Sequence, residues 1–447
     1  MSFHRNLVII LTHGLRSDAL GDSQAWPLRT PHFEKLAERG ARLVATSACP
    51  ADPGGMVSLL TGLHARQHGY VDQVKGPAAC DGWPTVLDEA GYHLSGVGCV
   101  GAIAPWLHDS VYVADVEQHE SMPCRYLAAM RDKGFHDAVS QQRRQRLRYG
   151  PFEPDRLLVE PDDDIDGFIA LEAHRCIAEM PTKKPWAMVV NFSGPGNDLP
   201  PPTLYDGAAE RELLMAGFAP ADLTQVNVLA ELDYPRVMLQ RLEPAKIAQI
   251  RSDYLGRVSL IDHGVGRIMA AIEQRDDASH IWTVIASDRG QLLGEHGLVG
   301  HRSFLSGAVE VPILIVPPAP GMVPHGHSQD TLVSTTDVAP TIAALAGCDM
   351  PRAAVGRSLL ATLSGEPITP VLNGGCISEF GKRLMLETER YKVIYDTEAH
   401  KAIGLYDLLN DASERTNLIE HPTGRNLLDA LRWRLGDALL PLRARSI

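Results

Sequence analysis

The sequence predicts an α/β protein built on a mostly parallel central sheet, and three observations carry that expectation. A continuous β-rich run stands at 7–11 (LVIIL), and largely apolar runs recur at 186–192 (WAMVVNF) and 281–286 (IWTVIA); such runs suit strands covered on both faces. Helix signals alternate with them along the chain. Each run also opens directly into a polar loop, the pattern of strands that end at a ligand-binding rim.

The elements follow in order. After the run at 7–11, TPHFEKLAERG has Pro31 in its first turn and Gly40 at its stop, which reads as a helix. Residues 41–45 read as the next strand, and Gly54 and Gly55 as a loop entering a helix that runs to Leu60. WPTVLDEAGYHLSGVG gives a helix ending near Gly91 and a strand over 94–97. The loop SGPGNDLPPP follows the run at 186–192. Residues 204–250 are polar with no chemical motif and read as an insertion or lid. A long amphipathic helix is expected over 253–274, then the strand at 281–286, a strand at 311–316 and a helix in DVAPTIAALAG. After Pro351 short strands joined by turns replace the β/α alternation, and LLDALRWRLGDALLPL is helical. The expected division is a main domain over 1–350 and a small α+β domain with an antiparallel sheet over 351–447.

Composition narrows the function. The 447 residues are 45% hydrophobic and 22% charged, an ordinary globular balance. Lys+Arg number 42 against 55 Asp+Glu, a formal charge of −13, so a polyanion is repelled and no nucleic-acid partner is expected. The dense run QQRRQRLRYG at 141–150 is accordingly read as a solvated face. Seven cysteines are scattered singly with no C-x-x-C pair, which argues against a disulfide framework or a zinc ribbon. No apolar stretch approaches the about 20 residues a membrane span needs, so no membrane partner and a cytoplasmic location are expected. No G-x-S-x-G elbow and no Gly-rich nucleotide loop occur. A homo-oligomer is compatible with all of this.

Three strand ends carry polar residues: Thr12 and His13, the SGPGND loop, and Asp288 with Arg289. Asp52 lies ahead of a helix, where backbone N–H groups favour an anion. Carboxylates gathered at strand ends commonly hold a hard cation, while capping and solvation account for loop polar residues equally well.

From these residues onward the chain resembles the sulfatase family of the alkaline phosphatase superfamily. The resemblance runs from residue 6 to about 422 and rests on segments in matching order, among them LRSDALG, TPHFEKLAERGARL, SLLTGLHARQHG, ASDRGQLLGEHGLVG, VPILIVPP and LYDLLNDASERTNL. It implies an α/β/α main domain, a small C-terminal domain and a hydrolase of sulfate, phosphate or phosphonate esters that uses Ca²⁺ and a formylglycine made from Cys.

The site motifs depart from that pattern. Thr12 and His13 stand where two acidic residues are typical, and Asp52 stands at the formylglycine position. Gly54, Gly55 and Met56 replace the Pro, Ser and Arg of C-x-P-S-R. Cys99 and Gly101 replace a Lys and a His, Gly196 replaces a His, Arg289 follows the retained Asp288, and His301 replaces a Lys. Asp52 cannot become formylglycine, fewer carboxylates weaken a Ca²⁺ site, and the lost Lys and His remove charge neutralisation and leaving-group protonation. Cys49 is a second candidate nucleophile by register shift, but Pro50, Ala51 and Asp52 follow it rather than P-S-R. The expectation is therefore a family member without ordinary sulfatase activity.

Two alternatives remain open. One is a divergent metallo-hydrolase using His13, Asp52, Asp288 and His301 around a zinc- or manganese-type ion. The other is a non-catalytic protein that binds a small anion or anionic ester, or a partner protein. The preferred arrangement has no cofactor: Asp288 faces Asp52, with Arg289 or His13 between them in place of Ca²⁺ or another divalent ion. Asp52 and His301 are the candidate catalytic residues; Cys99, Gly196 and Arg289 are the candidate substrate contacts; Thr12, His13, Asp52 and Asp288 are the family metal positions. His64, His68 and His296 are read as structural, and Arg16 with Asp18 as holding the first loop.

Overall fold

The computed structural model describes residues 5–431 apart from 22–24, 72–80, 115–122, 154–155, 158, 206–213, 215–227, 229, 231–235, 241, 320–331, 365 and 367–373. Its strands are β1 (Asn6–His13), β2 (Ala41–Thr46), β3 (His93–Gly98), β4 (Asp109–Tyr112), β5 (Trp186–Pro195), β6 (Ile281–Ser287), β7 (Leu292–Leu293), β8 (Val299–Gly300), β9 (Glu310–Val316), β10 (Val333–Ser334), β11 (Cys376–Phe380), β12 (Arg383–Glu387), β13 (Tyr391–Asp396) and β14 (Lys401–Asp407). The main sheet has eight strands in the order β10-β2-β9-β6-β1-β5-β3-β4. All its pairings are parallel except those of β9, which runs against both β2 and β6.

The central strands are apolar because both faces are covered. Leu7, Val8, Ile9 and Ile10 of β1 and Met188 and Val190 of β5 have no exposed surface. One set of helices, Pro31–Arg39, Ile165–Glu179 and Pro244–Glu273, packs together against the sheet. A second set, Gly54–Thr61, Trp83–Glu89 and Val338–Leu345, forms a separate layer. The second unit is a four-stranded antiparallel meander, β11-β12-β13-β14, with a helix over 422–431 beside it. Lys392 of β13, fully buried, joins the two units by donating to the Phe304 carbonyl at 2.7 Å and to Glu414.

Some expectations need adjusting. The long helix begins at Pro244, not at 253. Ile247 and Ile250 are buried, so the apolar face extends into what the sequence reads as insertion. Most of the expected insertion or lid at 204–250, and the end of the last helical segment, lie outside the described residues. The strand β4 and the helices between 125 and 179 carry no expectation from the sequence. Among the described residues no helix is long and apolar enough to cross a membrane.

Candidate active site

Strand register assembles the site. β1 and β6 pair in parallel with Thr12 opposite Ser287, so the next residues, His13 and Asp288, leave the sheet side by side. The Asp288 N–H donates to the Thr12 carbonyl at 3.2 Å, and the Ser287 hydroxyl accepts from the Leu15 N–H at 3.0 Å. These bonds fix both loop starts. The His13 Nδ1 then lies 2.8 Å from Asp288 Oδ2, with Asp288 fully buried and the His13 side chain 20% exposed. Burial works to lower the imidazole pKa, but the charge and hydrogen bond of Asp288 outweigh it, and the pKa is raised from its ordinary value.

Asp52 comes from the other helical layer. It precedes the helix Gly54–Thr61, whose start packs tightly on the sheet rim. A Cβ at Gly55 would stand 2.6 Å from the Cys49 carbonyl oxygen and 3.0 Å from that of Asp288. A Cβ at Gly54 would stand 2.3 Å from the Tyr70 carbonyl oxygen and 2.6 Å from Cys49 Sγ. Gly54 and Gly55 therefore sit where a side chain has no room. Cys49 is wholly buried and burial pushes its thiol up to about 12, so it presents no thiolate nucleophile.

Arg289 meets Asp52 as a fork, with Nε to Oδ1 and Nη2 to Oδ2 both at 3.1 Å. This is the bidentate geometry that guanidinium and carboxylate favour. The His301 Nε2 lies 3.7 Å from the same Oδ2. Burial alone would raise the Asp52 carboxyl; Arg289, then His301 and His13, reverse this and hold it well below the usual carboxylate range. Asp52 nonetheless faces the cleft, its side chain 52% exposed, while Arg289 is 5% exposed. Arg289 reaches Asp52 between two glycines. A Cβ on either Gly14 or Gly196 would lie 3.1 Å from its Nη1.

These groups line an open cleft of about 740 Å³ together with Met56, Cys99, Asn191, Gly196 and Asp198. Cys99 Sγ donates to the Val113 carbonyl at 3.5 Å. Gly196 contributes backbone, its N–H donating to the His13 carbonyl at 2.8 Å. Thr12 departs from its expected role. Its side chain is buried and donates to the Ala286 carbonyl at 3.4 Å, because strand alternation turns it away from the rim that His13 occupies.

The rim carries residues that the sequence reading passed over. Arg146 and Leu147 of the helix His136–Tyr149 line the cleft, so this stretch is not merely a solvated face. Arg302 lines it too. Behind the 193–197 loop, Asp166 accepts from the Ser193 N–H at 2.6 Å and the Gly194 N–H at 3.3 Å. The fully buried Arg257 pairs with Asp166 and, at 2.6 Å, with Asp164. The run PDDDID ahead of an apolar helix was the available signal, since Asp164 caps that helix by accepting from the Asp166 N–H. For Arg146 and Leu147 the sequence holds no local signal, because only the fold brings their helix to this rim.

One ligand atom each from His13, Asp52 and Asp288 falls within 4.8 Å of the others, and the buried Asp288 Oδ1 has no hydrogen-bond partner among the described residues. The donors do not fit Ca²⁺, which takes six to eight oxygens. In type, one imidazole nitrogen and two carboxylates suit a zinc- or manganese-like ion, but Arg289 already holds both oxygens of Asp52.

The comparisons with known proteins agree with this architecture. The sulfatase family model matches residues 5–348. This chain belongs to the sulfatase family. A choline-sulfatase of Rhizobium meliloti is 24% identical over 94% of this chain and 83% of its own length. An arylsulfatase of Clostridium perfringens is 23% identical over 96% of this chain and 92% of its own length. The crystal structure of a phosphonate monoester hydrolase of Agrobacterium radiobacter superposes with a TM-score of 0.80 at 20% identity, covering 99% of this chain and 96% of that one. The α/β fold with its mostly parallel sheet and C-terminal antiparallel sheet is thus shared with that phosphonate monoester hydrolase.

Proposed function

We propose that this sulfatase-family protein binds a small organic anion in its cleft and does not carry out formylglycine-dependent ester hydrolysis. The observation that supports this is the Arg289–Asp52 fork. A carboxylate stands where the family resemblance calls for a hydrated aldehyde, and it is ionised and held by a guanidinium. The charge of Asp52 is matched by Arg289, and its oxygens are occupied by hydrogen bonds rather than aimed at a reacting centre. Arg289, Arg146 and Arg302 around one cleft favour an anionic ligand over a cationic or neutral one.

The test is turnover of 4-nitrophenyl sulfate and of a phenylphosphonate monoester by the purified protein, with Ca²⁺ and with Mn²⁺, beside mass spectrometry of the peptide spanning Cys49 and Asp52. No turnover above background and an unmodified peptide are expected. Efficient turnover, or a formylglycine at Cys49, refutes the reading.

A second reading is favoured by the clustering of His13, Asp52 and Asp288. In it these residues hold a divalent ion and His301 acts beside it. The ion would supply Lewis-acid polarisation of an ester oxygen. Arg289 must first release Asp52, so metal analysis of the purified protein separates the two readings.

A further inference from the structure

We infer that the C-terminal sheet sets one wall of the cleft, with Lys392 and Glu414 as positioning residues that hold the 301–306 segment by its backbone. The inference rests on the anion-binding reading above and names what keeps His301 and Arg302 in place.

The 301–306 segment lies outside the main sheet. It leaves the short strand β8 and ends at the one-turn helix Ser306–Val309. Two of its residues, His301 and Arg302, line the cleft, and His301 Nε2 lies 3.7 Å from Asp52 Oδ2. The Ser303 N–H donates to the His301 carbonyl at 2.6 Å, and the Leu305 N–H to the Ser303 hydroxyl at 3.1 Å. Such local bonds fix the shape of the turn but not its distance from Asp52.

The C-terminal unit fixes that distance. Lys392 of β13 donates to the Phe304 carbonyl at 2.7 Å, and Glu414 accepts from the Ser306 N–H at 2.8 Å. The Phe380 ring of β11 packs on Phe304 with centroids 4.5 Å apart, and the Arg302 guanidinium stands 5.9 Å from the same Phe380 centroid. The same cluster reaches the chain that leads to Asp52. Glu387 lies 3.4 Å from Lys392 and accepts from the Thr46 hydroxyl at 3.0 Å. Two residues on, the Ala48 carbonyl accepts from the Glu379 N–H at 2.9 Å. Between them Ser47 donates to the Asp288 carbonyl at 2.6 Å. The segments carrying His301 and Asp52 are thus both tied to one antiparallel sheet.

The chemistry of the cluster points the same way. Lys392 is fully buried and pairs with Glu414, itself buried. Apolar residues would join the two units about as strongly, because desolvation offsets much of the attraction in a buried ion pair. Apolar contact has no direction, whereas charge-assisted hydrogen bonds hold a carbonyl and an N–H at set positions. Groups that bind a ligand need that precision from the residues behind them.

Strand alternation supplies a control. Ile394, on the same face as Lys392, belongs to the main core, while Val393 joins a separate apolar cluster with Leu384, Leu386 and Leu405. Val393→Ala therefore weakens the sheet without touching 301–306.

The test titrates inorganic sulfate into the full-length protein by calorimetry and follows the His301 ring in ¹H–¹⁵N spectra, assigned with His301→Gln. Lys392→Met should weaken sulfate binding about fivefold, the scale of one lost hydrogen bond, and shift the His301 signals. Val393→Ala should lower the melting temperature but keep wild-type affinity and His301 signals. Glu414→Gln keeps the size of the side chain and removes its charge; it should shift the His301 signals too, and it decides the matter if Lys392→Met does not fold. Affinity that falls with stability alike in Lys392→Met and Val393→Ala overturns the positioning role. Unchanged His301 signals in Lys392→Met and Glu414→Gln overturn it as well. Absence of sulfate binding to the wild type overturns the anion-binding reading, and the His301 signals then decide the positioning role by themselves.

Discussion

Arg289 and Asp52 come from different layers of the fold and meet through two hydrogen bonds of equal length, 3.1 Å each. The same carboxylate is one of three groups whose ligand atoms lie within 4.8 Å of each other. A guanidinium and a metal ion therefore compete for Asp52. Replacing Arg289 by Asn removes the competitor and leaves an amide that donates more weakly. Mn²⁺ or Zn²⁺ affinity, measured by calorimetry, should rise at least about tenfold in Arg289→Asn over the wild type, a difference of about 1.4 kcal/mol. An unchanged affinity would mean that the three donors do not form a cation site at all.

Gly14 has φ +80°, and a Cβ on it would stand 2.7 Å from Gly196 Cα and 3.1 Å from Arg289 Nη1. Gly14→Ala adds left-handed backbone strain to a collision with another backbone. It should cost about 2–4 kcal/mol in urea unfolding and weaken anion binding by displacing Arg289. A loss below about 0.5 kcal/mol would show that the Gly14–Gly196 contact yields easily.

Arg257 is fully buried between Asp164 and Asp166. Arg257→Leu leaves two carboxylates without their cation and should destabilise the fold by about 3–5 kcal/mol. The effect should spread to the cleft, because Asp166 also holds the Ser193 and Gly194 N–H groups. Hydrogen exchange at 193–197 should accelerate in this variant more than exchange in β13 and β14. Uniform acceleration would mean that the triad supports the fold without positioning the loop.

His68 is wholly buried, its Nε2 2.9 Å from the Ser58 hydroxyl, and burial, with the nearby His64, lowers its pKa from 6.5 to about 4. The unfolded chain binds a proton near pH 6.5 that the folded chain refuses until about pH 4, so this stability is present above 6.5 and lost as pH falls. The loss should reach about 2 kcal/mol at pH 5. His13 acts in the opposite sense, because its raised pKa adds stability below 6.5 that disappears as pH climbs through the folded value. Comparing wild type with His68→Gln in urea at pH 7 and pH 5 isolates the His68 contribution; parallel losses in both proteins would assign the acid sensitivity elsewhere.

Most of the β/α alternation of the main domain is legible in local sequence. Short apolar, β-rich runs such as LVIIL and IWTVIA suit strands covered on both sides, and the loops that follow them mark the rim at which His13 and Asp288 emerge. Asp52 ahead of a helix and Arg289 beside Asp288 were legible too, because both are local features of the chain. Which of these groups touch depends on packing between elements far apart in the chain. Strand pleat sends Thr12 into the core and His13 to the cleft, a difference of one residue that local pattern does not resolve. The fork between Asp52 and Arg289 joins positions 237 residues apart and needs the bare backbones of Gly14 and Gly196 on either side. Arg146 and Leu147 read as a solvated face because a helix surface shows its chemistry but not its neighbour; packing of distant elements, not local pattern, turned that surface toward the cleft.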